Sequence, residues 1–145
     1  MIFYFSGTGN TRWAAQKVAA ATADRLVNIA EEMLAAETAQ ASDPQFTYTL
    51  AKDERIGFFF PVHGWRPPRL VLDFLDRLHL TNADSHYAYI VCTAGDNVGE
   101  EVSLYEKRLQ TMGIKIDSAI SLIMPESYVG LPFMDVDTPA KEQCK

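Results

Sequence analysis

Several features that would mark other classes of protein are scarce in this sequence. Only two of its 145 residues are cysteines, Cys92 and Cys144, which is too few for a disulfide framework and lacks the spacing of a metal site. The apolar start, residues 1–5, is short and no basic segment precedes it, so it does not match a signal peptide. No apolar run approaches the roughly 20 residues of a membrane-spanning helix. We therefore expect a protein of the reducing cytoplasm.

Basic residues are also in short supply. The chain has 13 Lys and Arg residues and 19 Asp and Glu residues, which gives a net charge of −6. Nucleic-acid surfaces need clustered cations, and anionic membranes repel an acidic protein. We expect neither a nucleic acid nor a membrane as a partner.

The remaining composition is typical of a globular domain. Hydrophobic residues make up 48% and charged residues 22% of the chain. A chain of this length forms one domain and buries roughly 70% of the surface that it exposes when unfolded.

Apolar runs and amphipathic segments alternate along the chain. Runs at residues 1–5, 26–29, 56–62, 87–92 and 114–124 predict strands, several of them buried on both faces. Helices are predicted over residues 10–24 with Trp13 in the apolar stripe, from Pro67 with a stripe ending at Leu78, and from Val102 to Met112. Residues 31–45 predict only a helix fragment and a loop. The alternation predicts a parallel sheet covered by helices on both faces.

Three loops rich in polar residues or glycine follow strands, at residues 6–11, 61–66 and 93–99. Ligands of such sheets bind outside the carboxyl ends of the strands. We expect the three loops to meet one ligand.

The first loop has the composition of a phosphate site without charge. It consists of Ser6, Gly7, Thr8, Gly9, Asn10 and Thr11. Its glycines allow close approach of the backbone, and the helix that follows directs its positive end at the loop. Other phosphate motifs fit less well, because no Gly-Lys pair occurs and Arg12 takes the place of the third dinucleotide-site glycine. A loop that only caps the helix remains the alternative.

This loop, directly after an N-terminal strand, resembles the phosphate-binding loop of flavodoxins. Residues 1–13, 60–68 and 124–128 are similar to the flavodoxin-like half of bacterial flavodoxin–ferredoxin fusion proteins. The resemblance implies a three-layer α/β/α sandwich around a five-stranded parallel sheet of order 2-1-3-4-5. It also implies bound flavin mononucleotide (FMN).

The resemblance further implies which residues hold FMN. The first loop would bind the phosphate, and the flavin ring would lie against the second and third loops. In those loops the cofactor-binding residues would be Pro61, Val62, His63, Gly64, Trp65, Thr93, Ala94, Gly95 and Asp96. Trp65 would stack on the ring, although a hydrophobic plug under Pro67 and Pro68 and an ordinary loop position for His63 remain alternatives.

The sequence departs from the flavodoxin pattern in the third loop. The second stacking aromatic would fall near Val98 or Gly99, which leaves one face of the flavin more open. We expect an electron carrier for a redox partner protein or a fused ferredoxin domain. A flavin-dependent oxidoreductase of a quinone or porphyrinogen, and a module that has lost FMN, are the alternatives.

The last predicted helix begins near Pro139. Only about two turns remain to Lys145. We expect residues 1–145 to be a single flavodoxin-like domain whose last helix is truncated. For Tyr128, a position at the rim of the site and a packed loop position are both open.

Overall fold

The computed structural model describes residues 1–125 of the chain. Its strands are β1 Ile2–Tyr4, β2 Leu26–Asn28, β3 Phe46–Thr49, β4 Ile56–Pro61, β5 Leu78–Thr81, β6 Ala88–Ala94 and β7 Ser118–Ile123. Its α-helices are α1 Asn10–Thr22, α2 Ile29–Thr38, α3 Arg69–Leu75 and α4 Glu101–Thr111, and a short 3₁₀ helix spans Ala83–Ser85.

The main sheet has five parallel strands in the order β2-β1-β4-β6-β7. The predicted α/β class is confirmed. The strand numbers differ from the predicted 2-1-3-4-5 because β3 and β5 form a separate two-stranded sheet. When those two strands are left out of the count, the main sheet has the predicted order.

Helices cover both faces of the main sheet. Helix α1 packs Ala14, Ala15 and Ala19 on one face, against Ile2 and Phe59. Helices α2, α3 and α4 pack on the other face, whose core includes Phe3, Phe58, Phe60 and Ile90. Strands β1 and β6 are buried along their whole length, and β4 is buried up to Pro61. Such strands lie between two layers of helices, which explains why their sequences are apolar without alternation.

Two expectations about the helices are wrong. Trp13, predicted in the apolar stripe of α1, is 55% exposed, and Lys17 lies 5.6 Å from the centre of its ring. An ammonium at that distance makes a cation–π contact that stabilises the ring at the surface. Leu78, predicted to continue the stripe of the third helix, instead begins β5 and pairs with Phe46.

No helix among residues 1–125 is both long and apolar enough to cross a membrane. The predicted residue Tyr128, the predicted last helix and Cys144 lie outside the described residues.

Candidate functional site

A cleft of about 640 Å³ opens at the carboxyl edge of the main sheet. It is lined by the three predicted loops and by the end of β7. The lining residues are Gly7, Thr8, Asn10, Thr11, Pro61, Val62, His63, Gly64, Trp65, Thr93, Ala94, Gly95, Asp96, Asn97, Met124 and Pro125. The structure therefore brings together all the predicted site residues except Ser6 and Gly9. The volume lies within the roughly 300–1,000 Å³ typical of small-molecule sites.

Ser6 and Gly9 shape the first loop without lining the cleft. The Ser6 hydroxyl accepts a hydrogen bond from the Gly9 N–H at 3.1 Å. Gly9 is the N-cap of α1 and has φ +105°, a conformation that glycine adopts at little steric cost. As a glycine, this N-cap residue has no side chain with which to cap the helix. The N–H groups of its first turn lack intrahelical partners and lie beside the cleft, where they can bind an anion.

Asn10 and Thr11 tie the first loop to other parts of the cleft. The Asn10 side-chain amide donates to the Pro125 carbonyl at 2.9 Å, across the end of β7. The hydroxyls of Thr11 and Thr93 form a buried hydrogen bond of 2.7 Å. Because a hydroxyl can donate one hydrogen bond and accept two, either threonine retains capacity for a ligand. The pair fixes the first loop relative to β6.

The second loop is a tight turn that presents Trp65. His63 and Arg66 exchange two backbone hydrogen bonds, of 3.1 and 3.2 Å. The residues between them, Gly64 and Trp65, have φ of +59° and +62°. Positive φ at both central positions is the pattern of a type I′ turn. Trp65 has a backbone conformation that is unfavourable for a side chain of its size, which indicates that its surroundings hold it there.

Gly99 supplies part of those surroundings. It has φ +54°, and a Cβ atom placed on it would lie 2.8 Å from Cβ and 2.9 Å from Cδ1 of Trp65. The indole thus occupies the space that a side chain at position 99 would need. It remains 63% exposed at the mouth of the cleft. Trp65 is therefore not a buried plug beneath the prolines. Its contact with Gly99 was not predicted, since nothing in the sequence pairs the second and third loops.

The ring of His63 packs against Phe5, the residue that follows β1. The two rings meet edge to face, with 6.0 Å between centroids and an angle of 79°. The His63 backbone belongs to the turn that presents Trp65. The prediction that His63 binds a cofactor is not decided by this contact.

The third loop begins later than predicted because β6 extends to Ala94. Thr93 and Ala94 are buried strand residues, whereas Gly95, Asp96 and Asn97 are exposed. The Asn97 amide donates to the Asp96 carboxylate at 3.3 Å. No aromatic residue occurs from Ala94 to Gly99. Asn97, Met124 and Pro125 line the cleft but were not among the predicted site residues.

The cleft contains little formal charge. Among the described residues that line it, Asp96 is the only Asp or Glu, and there is no Lys or Arg. Arg12, which follows the first loop, is exposed and does not line the cleft. Polarity in the cleft comes from hydroxyls, amides and the end of α1.

A buried polar cluster lies behind the third loop. Glu101 is fully buried in the first turn of α4, and among residues 1–125 neither carboxyl oxygen has a hydrogen-bond partner. Burial raises the pKa of this carboxyl to about 8, with a smaller opposing effect from the Tyr105 hydroxyl. That hydroxyl is also buried and is not placed for a hydrogen bond. Burial raises the pKa of the Cys92 thiol to about 12, and Glu101 adds to the shift. Cys92 is the buried core residue that its strand position predicts.

Solved structures have similar folds, and two of the three described here carry names that concern flavins. A protein provisionally named as a flavoprotein, from Bacteroides uniformis, matches with a TM-score of 0.56 and 22% identity, over 84% of this chain and 88% of its own. A second, from Bacteroides eggerthii, matches with a TM-score of 0.56 and 17% identity, over 84% and 86%. The Trp repressor binding protein of Bacillus subtilis matches with a TM-score of 0.54 and 15% identity, over 83% and 81%.

The fold is flavodoxin-like. At these identities the likeness establishes the fold alone, because one fold hosts many functions. No model of a known protein family matches the sequence, and no curated protein matches it. What a flavodoxin-like fold does in this chain therefore has to be argued from its cleft.

Proposed function

We propose that the chain binds FMN in the cleft and serves as an electron carrier. The observation that carries this proposal is the convergence of two different binding features in one cleft. One is the start of α1, which has a glycine as its N-cap and lies within a loop of hydroxyls, and the other is the exposed indole of Trp65. The first suits a phosphate and the second suits a flat conjugated ring.

The phosphate would lie at the first loop. The Thr8 and Thr11 hydroxyls and the N–H groups of the first turn of α1 are the donors there. No lysine or arginine lines the described cleft, so the helix dipole and hydrogen bonds would hold the dianion. Such binding depends less on ionic strength than binding by exposed cations.

The flavin ring would lie between the second and third loops. Trp65 offers a stacking face, and the backbone at Gly95 and Asp96 would meet the polar edge of the ring. When bound, FMN would supply the electron-transfer chemistry, while the protein supplies binding, orientation and electrostatics. With Asp96 in the cleft and a net charge of −6, added negative charge on the cofactor is disfavoured. We expect a reduction potential below that of free FMN.

The test compares FMN with riboflavin, which has the same ring but no phosphate. Wild-type protein should bind FMN at least about a hundredfold more tightly, equivalent to about 2.7 kcal/mol. Replacing Thr8 and Thr11 by Ala should weaken FMN binding strongly and leave riboflavin binding nearly unchanged. Thr38→Ala, which removes a hydroxyl at the far end of α2, is the matched control. Unchanged FMN affinity in the Thr8→Ala/Thr11→Ala variant would contradict the proposed phosphate site.

The open third loop favours a second candidate function. Because residues 94–99 contain no aromatic side chain, one side of the ring would be accessible to a small substrate such as a quinone. Such an enzyme would oxidise NAD(P)H and reduce the quinone without another protein. Turnover of both substrates by this chain alone would support an oxidoreductase. Absence of turnover in FMN-loaded protein that still exchanges electrons with a reduced dye would support the carrier.

A further inference from the structure

A second cavity lies next to the cleft, between α3 and α4. It has a volume of about 510 Å³ and is lined by Arg66, Pro67, Leu72, Asp76, Leu104, Lys107, Arg108 and Thr111. We refer to these residues as the α3–α4 groove. None of them was among the predicted cofactor-binding residues, although Arg66 belongs to the second predicted loop.

The charge of the groove is opposite to that of the whole molecule. Three of the chain's thirteen Lys and Arg residues line it, with one carboxylate, Asp76. Asp76 forms an ion pair with Arg108. Neither Arg66 nor Lys107 has a carboxylate partner among residues 1–125. Within the described part of the chain, the groove therefore carries two cations without a carboxylate partner, in a protein of net charge −6.

Between the cations the groove is apolar. Pro67, Leu72 and Leu104 are half-buried there. Arg66 and Lys107 are exposed at the rim. A complementary surface would thus carry carboxylates at its edge and an apolar side chain at its centre.

The groove and the cleft are connected through the second loop. Arg66 lines the groove and closes the turn in which Trp65 faces the cleft. A molecule in the groove would consequently lie beside the exposed indole, next to the expected position of the ring. This is where an electron-transfer partner needs to dock.

We propose that the α3–α4 groove is the docking site for a redox partner protein, which it binds through a segment of carboxylates around an apolar side chain. This inference rests on the proposed electron-carrier function. A protein is favoured over a small molecule because the cations stand at an exposed rim rather than enclosing a pocket. An acidic partner would be repelled by the net charge of the chain and attracted at the groove, so its approach would be oriented.

Binding can be tested with a defined probe and without flavin. The probe is a short fluorescein-labelled peptide of alternating Glu and Leu residues, and its affinity is measured by anisotropy on the whole protein at low ionic strength. Lys107→Glu should weaken binding about tenfold, and so should Arg66→Glu. Lys115→Glu makes the same charge change at an exposed site outside the groove and should alter affinity by less than about twofold.

Two further measurements separate the alternatives. A matched peptide with Gln in place of Glu should bind at least about tenfold more weakly. Physiological salt should weaken the binding of the Glu peptide, because salt screens exposed charges. Equal losses of peptide affinity in the Lys107 and Lys115 variants would contradict the proposal. Displacement of the peptide by citrate at concentrations too low to change the ionic strength would also contradict it.

The role in electron transfer needs one more comparison. Electron transfer from FMN-loaded protein to an acidic redox protein should slow in Lys107→Glu, whereas FMN affinity should not change. A failure to bind FMN would refute the proposed function without affecting the peptide result. A failure to bind the peptide would refute the proposed docking site without affecting FMN binding.

Discussion

At the scale of single residues, the site combines satisfied and unsatisfied buried polar groups. The hydroxyls of Thr11 and Thr93 satisfy one another at 2.7 Å and join two loops of the cleft. Glu101 has no such partner among the described residues. A buried carboxyl without a partner is tolerated most easily in its neutral form. Its ionisation should therefore affect the stability of the protein.

The raised pKa of Glu101 should make the stability of the folded protein depend on pH. This pKa is raised from 4.5 to about 8, so the folded state binds this proton more tightly than the unfolded state. The contribution of this group to the free energy of unfolding is therefore greatest below about pH 4.5 and falls as pH rises toward 8. Glu101→Gln should flatten the decline between pH 5 and 8 and stabilise the protein most at the alkaline end.

The measurement is denaturant unfolding at several pH values. Glu100→Gln, which changes an exposed neighbour, is the control and should follow the wild type. The groups that face Glu101 are Cys92 and Tyr105, and burial raises the pKa of both, so neither ionises in this range. Parallel curves for wild type and Glu101→Gln would show that the carboxyl is not held neutral.

The place of the first loop, between β1 and α1 at the cleft, could be predicted from sequence because it depends on residues close together in the chain. Hydroxyls and glycines in a strand-to-helix turn predict a phosphate site, and this prediction does not depend on contacts with distant parts of the chain. By contrast, Gly99 and the α3–α4 groove depend on contacts between distant segments. No local pattern predicts that Gly99 makes room for Trp65, or that Arg66 lies near Lys107.

At the scale of elements, strands buried on both faces were predicted well and the small sheet was missed. β1, β4 and β6 are continuous apolar runs, for which a parallel sheet is the natural interpretation. β3 and β5 are four-residue strands, each buried at one residue and partly buried at another. Their pairing, Phe46 with Leu78, joins segments far apart in sequence. Leu78 also fits helical spacing after Leu75, so its pattern favoured the wrong element.

The contact between the second and third loops leads to a prediction at this scale. Gly99→Ala should force Trp65 to move, because the new Cβ would lie 2.8 Å from that of the tryptophan. We expect FMN affinity to fall about tenfold. Gly113→Ala is a matched control, since Gly113 also has positive φ, +79°, but no atom lies within 4 Å of the added Cβ.

Both glycine variants should lose roughly 1 kcal/mol or more of stability from the unfavourable backbone conformation. Only Gly99→Ala should also change FMN binding and the emission of Trp65. Equal FMN affinities in the two variants would mean that the position of Trp65 does not matter for the cofactor.

At the scale of the whole molecule, acidity and the scarcity of cations shape the proposed function. With a net charge of −6, the protein would hold a phosphate through hydroxyls and helix N–H groups, because no Lys or Arg lines the described cleft. Arg66 and Lys107, which have no carboxylate partner among residues 1–125, line the α3–α4 groove rather than the cleft. One end of the sheet would thus serve both the cofactor and the protein that exchanges electrons with it.

The central claim, that the cleft holds FMN for electron transfer, is tested most directly by the visible spectrum of the purified protein during stepwise anaerobic reduction. After addition of FMN and removal of the excess, we expect flavin absorption bands that remain with the protein and bleach at potentials below those of free FMN. A protein that stays colourless, and whose tryptophan emission does not change when FMN is added, would contradict the account.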